Sequence, residues 1–265
     1  YTFKSLGYDY QLWALGTQLV GELGTNQQNV GYSSPVQIPG TNWGQIGGGA
    51  NEYSLAVKTD GSLWAWGENT YGGLGIPSYT HGQRVSSPVQ IGSDTTWVTV
   101  RGLHYGSSTA VKTDGTLWTW GRSNYGQLGQ NSRTYYSSPV QIPGTTWGSD
   151  PKKFSGQGYA ISNIKTDGTL WSWGYGGFGK LGQGEGPSGP WWAAVVASKS
   201  SPVQVPGTTW SKVWMSHANQ LAIKTDGTLW VWGTNDYGCL GQNQAPGASI
   251  LSVSSPVQIP GTTWS

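Results

Sequence analysis

VKTDGTLWTWGRSNYGQLG fills residues 111–129, and its reading decides the fold. Taken alone, it could be a metal loop, a phosphate loop or a hairpin. Near-copies elsewhere settle the choice: VKTDGSLWAWGENTYGGLG at 57–75, IKTDGTLWSWGYGGFGKLG at 164–182, IKTDGTLWVWGTNDYGCLG at 223–241, and a worn QLWALGTQLVGELG at 11–24. A second constant segment follows each copy, SSPVQ(I/V)PGTTW or a close variant, starting at Ser33, Ser86, Ser137, Ser200 and Ser254. The leading tryptophans, Trp13, Trp64, Trp118, Trp171 and Trp230, are 51, 54, 53 and 59 residues apart. A period near fifty with glycine and aromatic marks is that of propeller blades, each a four-stranded sheet. The reading is all-β: one propeller domain over 1–265, with units at about 1–43, 44–97, 98–147, 148–210 and 211–265.

Composition agrees. The chain has 43 Gly, 14 Pro, 17 Trp and 14 Tyr in 265 residues with 10% charged side chains, which suits short strands and many turns. Net charge is +2 and the longest basic run is Lys152-Lys153, so nucleic acid is not an expected partner. One cysteine, Cys239, and three scattered histidines offer neither a disulfide nor a zinc cluster, and no cofactor is expected. No apolar run is long enough for a membrane span, and no signal segment opens the chain.

Asp-Gly between strand-like runs predicts a two-residue hairpin at Asp60-Gly61, Asp114-Gly115, Asp167-Gly168 and Asp226-Gly227. That register sets Leu55, Val57, Trp64 and Trp66 on one face, with Ala56 and Ala65 on the other. It does the same for Val111, Trp118 and Trp120 against Ala110 and Thr119, and for Leu221, Ile223, Trp230 and Trp232 against Ala222 and Val231. Trp171 and Trp173 take the equivalent places in the fourth unit. The tryptophans of one blade are then expected on the small-residue side of the next. Joining GTTWS at the C-terminus to YTFKS at the N-terminus resembles TTWSKVWMS at 208–216, which predicts closure by pairing of the terminal segments.

The combination DG(T/S)LWxWGxNxYGxLG plus SSPVQ(I/V) resembles the regulator of chromosome condensation repeat family in its bacterial and phage form. That resemblance covers essentially the whole chain and implies a β-propeller. Family members usually have seven blades, and five units leave either a five-bladed ring, which we favour, or part of a larger one. The family often carries a His where this chain has Tyr53, Ser107, Ala160 and Asn219, which weakens transfer of activity from eukaryotic members.

Each KTDG turn supplies one carboxylate, too few for calcium, and a hairpin is preferred. Lys58, Lys112, Lys165 and Lys224 read as a solvated rim. GRSNYGQLGQ lacks the Lys-Ser/Thr of a phosphate loop and reads as a packed turn. His81, His104 and His217 share no pattern, and no catalytic constellation emerges, so a non-enzyme is expected. Variation concentrates between the LG and SSP landmarks, in gaps of 8, 10, 7, 17 and 12 residues. The longest carries Trp191 and Trp192, read either as an exposed contact or as a plug folded inward. Tyr135, Tyr136, Arg133 and Arg84 on neighbouring gaps are secondary contacts.

The expected function is a binding or structural module acting through protein contacts, self-assembly included, on a virion, appendage or cell surface or secreted. Glycan binding through the Trp191-Trp192 loop is a further possibility. The resemblance also implies an alternative, a regulator like the small-GTPase exchange factors or the secreted propeller inhibitors of β-lactamase.

Overall fold

The computed structural model describes residues 10–48, 52–103, 105–157, 159–185, 197–235, 238–243 and 252–264. The chain divides into two compact units, Tyr1–Arg122 with Tyr135–Pro143, and Ser123–Thr134 with Gly144–Ser265. The fold class is all-β, five successive antiparallel sheets among the described residues.

In the first unit, β1 (Trp13–Gln18) pairs with β2 (Val30–Gln37). The second sheet runs β3 (Trp43–Gly48), β4 (Tyr53–Lys58), β5 (Leu63–Glu68) and β6 (Arg84–Gln90). The third runs β7 (Trp97–Leu103), β8 (Ser107–Lys112), β9 (Leu117–Gly121) and β10 (Tyr136–Ile142). In the second unit, β11 (Phe154–Gln157), β12 (Ala160–Ile164), β13 (Leu170–Gly174) and β14 (Lys199–Gln204) form one sheet. The last is β15 (Trp210–Met215), β16 (Asn219–Lys224), β17 (Leu229–Thr234) and β18 (Ser252–Ile259). Three of the four-stranded sheets therefore begin at the Trp of GTTW or its close variant, the fourth sheet begins at Phe154, and all four end on the SSPVQ strand. The expected pairing of the chain ends falls on residues 1–9 and 265, outside the described residues. No helix among the described residues is long and apolar enough to cross a membrane.

The hairpins differ from the expected register by one residue. Ala56 lies opposite Trp64, Val57 opposite Leu63 and Ser54 opposite Trp66, and the third and fifth sheets repeat the pattern. The cause is the turn. Gly61 donates to Lys58 O and Lys58 donates to Ser62 O, so Thr59, Asp60 and Gly61 form a three-residue loop with only the glycine left-handed (φ +81). The Asp side chain then accepts from Ser62 N at 2.9 Å and Ser62 Oγ at 2.6 Å. A one-residue shift moves every side chain to the other face. The indoles therefore share a face with Ser54 and Ala56, and the opposite face of that hairpin carries Leu55, Val57, Leu63 and Ala65.

That aliphatic face receives the next sheet. Leu55, Val57, Leu63 and Ala65 pack with Val100, Ala110 and Trp120 in the first unit. Ile164, Leu170 and Val205 pack with Trp210, Val213, Ala222 and Trp232 in the second. The expected direction is thus corrected: tryptophans lie on the aliphatic side of the preceding sheet. The second Trp of each LWxW also bonds the preceding unit's xLG segment, Trp66 Nε1 to Glu22 O (2.9 Å), Trp120 to Gly73 O (2.8 Å), Trp173 to Gln127 O (3.0 Å) and Trp232 to Lys180 O (2.8 Å).

Candidate functional site

Two sets of loops leave the sheets. On the turn side, each KTDG lysine lies across from the GTTW tryptophan, as Lys58 does from Trp43 and Lys112 from Trp97. Its ammonium covers two indoles: Lys58 at 4.8 and 4.2 Å over Trp43 and Trp64, and Lys112 at 4.6 and 4.0 Å over Trp97 and Trp118. Lys165 and Lys224 do the same in the second unit. The LWxW indole of each pair (Trp64, Trp118, Trp171 or Trp230) donates to the Ser or Thr hydroxyl, which donates to the Asp, as in Trp118 to Thr116 (2.9 Å) to Asp114 (2.7 Å). Those hydroxyl bonds hold Asp60, Asp114, Asp167 and Asp226 below the usual carboxylate range. The lysines are therefore fastened over indoles rather than forming a free rim. Among the described residues, no group of three or more His, Cys, Asp or Glu could hold a metal ion.

The other side differs between units. In the loop after β5, buried Asn69 donates to Tyr79 O (3.0 Å) and Thr80 O (3.1 Å) and accepts from Leu74 N (3.2 Å). The loop is thereby shaped so that Tyr71 adopts a left-handed conformation, φ 54. Around its ring stand His81 (4.6 Å between centroids), Tyr135 (5.7 Å) and the Arg122 guanidinium (4.5 Å). Tyr135 is 42% exposed. Arg84, at the start of β6, pairs with Glu68 at 3.2 Å.

In the second unit, Tyr125 contacts Tyr159 and Tyr175, each at 4.9 Å. Burial, and then the neighbouring Tyr125, raise the Tyr175 phenol above its ordinary range. Lys180 is fully buried beside this group. Its Nζ donates to His217 O (3.1 Å) and Gln157 O (3.4 Å) and lies 5.1 Å from the Tyr175 ring. Burial pulls its pKa down to about 7.

Trp191 and Trp192 lie outside the described residues, as does His104. Tyr135 joins the Tyr71 cluster, Tyr136 sits in β10 opposite Gly121, and Arg133 is exposed in the second unit. Cys239 is exposed and donates to Thr234 O. Sequence reasoning missed Tyr71, His81, Arg122 and Lys180. An aromatic residue recurs at the Tyr71 position in four units, as Tyr125, Phe178 and Tyr237, and so read as scaffold. The usable signal was positional: Lys180 stands where other units have Glu22, Gly73, Gln127 and Cys239.

Known proteins share this pattern. The family described as regulator of chromosome condensation (RCC1) repeat matches residues 60–107, 114–149 and 226–263, with a second RCC1 repeat description at 45–72. The human E3 ubiquitin-protein ligase HERC2 is 31% identical over 197 residues, 72% of this chain and 4% of that protein. Protein RCC2 of Homo sapiens is 26% identical over 251 residues, 85% of this chain and 47% of that protein. The ultraviolet-B receptor UVR8 of Arabidopsis thaliana is 25% identical over 215 residues, 80% and 46%. The chain spans less than half the length of these relatives. Among solved structures, human WBSCR16 superposes with a TM-score of 0.74 at 20% identity, over 94% of this chain and 61% of that one. Prp20p of Saccharomyces cerevisiae, described with its binding to Gsp1p and histones, gives 0.73 at 17%, over 95% and 59%. At these identities the likeness shows the fold, a β-propeller.

Proposed function

The chain belongs to the regulator of chromosome condensation (RCC1) repeat family, and from that premise we propose that it is a non-enzymatic binding module engaging a protein partner through the loops between the third and fourth strands of its sheets. One observation carries the reading. The turn side is spent on internal fastening, with Asp, Thr, Trp and Lys engaged with one another in each four-stranded sheet. The loop side instead brings Arg122, His81 and Tyr135, from two loops, around the ring of Tyr71. Aromatic and arginine side chains of this kind are the ones that anchor protein interfaces. The binding of Gsp1p and histones described for Prp20p supports a protein as the partner class. The proposal extends to a setting on a virion, appendage or cell surface or in secretion, supported by the low charge and the richness in Gly and Trp.

The test is capture from an extract of the source organism on the immobilised chain, with Tyr135→Ser as the loop-side variant and Lys152→Gln as a surface control. The expected result is a protein retained by the parent and by Lys152→Gln but lost from Tyr135→Ser. Equal retention on all three would overturn the loop-side assignment. Recovery of the chain itself, or of a glycan alone, would replace the protein partner.

A further inference from the structure

We propose that Lys58 and Lys224, on the turn side, each bind a small carboxylate ion beside a neighbouring glycine, in the place that Asp94 fills for Lys112. These lysines lie on the side opposite the loops above, so the site is separate from that of the protein partner. The third sheet shows the occupied form. Lys112 stands 4.6 and 4.0 Å over Trp97 and Trp118, and its ammonium also pairs with Asp94 at 2.6 Å. Lys58 stands 4.8 and 4.2 Å over Trp43 and Trp64, and Lys224 stands 4.8 and 4.3 Å over Trp210 and Trp230. Among the described residues, neither of these two ammoniums has an ion-pair or hydrogen-bond partner. Asp60 and Asp226 add their field from the adjoining turns, but their carboxylates are held by Ser62 and Thr228. Lys112 takes Asp94 although Asp114 occupies that same turn position beside it. The internal fastening and the turn acid together therefore leave such a lysine able to hold one more carboxylate.

The sequence shows where the acid is missing. Asp94 stands three residues before Trp97, and Gly40 and Gly207 stand at the same distance before Trp43 and Trp210. A Cβ on Gly40 would lie 3.5 Å from Lys58 Nζ, and one on Gly207 would lie 3.5 Å from Lys224 Nζ. Both are ordinary contacts, so a carbon atom fits beside each ammonium. Both glycines are exposed and both lysines half-buried, which opens the place to solvent. The lysine contact, and after it the Thr96 hydroxyl, hold the Asp94 carboxyl down at about 2, as expected where the ionised acid is the favoured ligand. Asp94 also accepts from Thr96 N at 2.8 Å and Thr96 Oγ1 at 2.7 Å. An outside acid is given the ammonium alone, so binding in the millimolar range is expected. One cation in each place matches a single carboxylate better than a phosphate, which calls for more donors.

The experiment is a titration of the full chain with sodium acetate, followed through the indole N–H signals in proton–nitrogen correlation spectra. A parallel titration with sodium chloride matches the ionic strength. The Trp64 and Trp230 signals are expected to shift saturably with acetate, while Trp118, whose lysine is already paired, stays still. Asp94→Asn should make Trp118 respond as Trp64 does. Lys224→Met should remove the Trp230 response and leave that of Trp64. If Lys224→Met does not fold, the contrast between Trp118 and the other two in the parent chain still decides. No saturable shift at Trp64 and Trp230, an equal shift at Trp118 in the parent, or the same shifts with chloride would overturn the site. A blocked Gly-Asp-Gly peptide forms the second arm: a response to it and none to acetate would assign the carboxylate to a polypeptide and overturn the small ion.

Discussion

Lys180 is the residue whose behaviour separates burial from ordinary surface charge. Its ammonium is held by two carbonyl oxygens and stands beside a tyrosine ring, with no carboxylate among those contacts. With its folded pKa at about 7 and the ordinary value at 10.5, the unfolded chain binds the extra proton between those limits. Stability contributed at this site therefore rises with pH from 7 toward 10, at up to about 1.4 kcal/mol per pH unit, and the full cost of burying the charge is felt below 7. Denaturant unfolding across that range should show the slope in the parent chain and lose it in Lys180→Met. The same slope in both would place the titration elsewhere. In the sequence only its position in the xLG segment pointed to this, because a lysine in a variable slot looks like any surface residue until packing is known. Asp60 and its counterparts were more legible: a turn was expected at each Asp-Gly, and a turn is there.

At the scale of elements, repetition made the strands legible and the turn type hid their faces. Two-residue and three-residue hairpins share the Asp-Gly signature, and the difference is whether Asp itself has positive φ; here none of the four does. The fourth sheet shows a second kind of illegibility. Its first strand is interrupted between Trp147, which bridges to Lys165, and Phe154. Asn163 stands where the equivalent strands have Ala, and its amide pairs with both Gly148 N (3.0 Å) and Gly148 O (3.1 Å), replacing the contacts the interruption removes. The LG glycine is a sharper constraint. A Cβ on Gly75, at φ +73, would lie 2.8 Å from Trp120 Nε1, itself bonded to Gly73 O. Gly75→Ala should cost about 2–4 kcal/mol, from left-handed strain and overpacking together. Thermal unfolding checks this, and a loss near zero would mean that the indole seam yields.

For the whole molecule, the sequence announced five units and a propeller, and both the sheets and the family match agree. The candidate site was half legible. Tyr135 was a candidate from its variable gap, whereas Tyr71 and Arg122, which stand with it, come from repeated or adjacent positions that only the folded loops gather. Loop lengths vary because the strands beneath them are fixed by the Trp seam, which frees the loops to diverge in sequence.

Hydrogen–deuterium exchange on the full chain, with and without the protein captured from the extract, tests the central claim most directly. The account predicts slowed exchange at residues 69–84 and 135–136, with the KTDG turns at 58–62, 112–116, 165–169 and 224–228 unchanged. Slowing confined to those turns would contradict it.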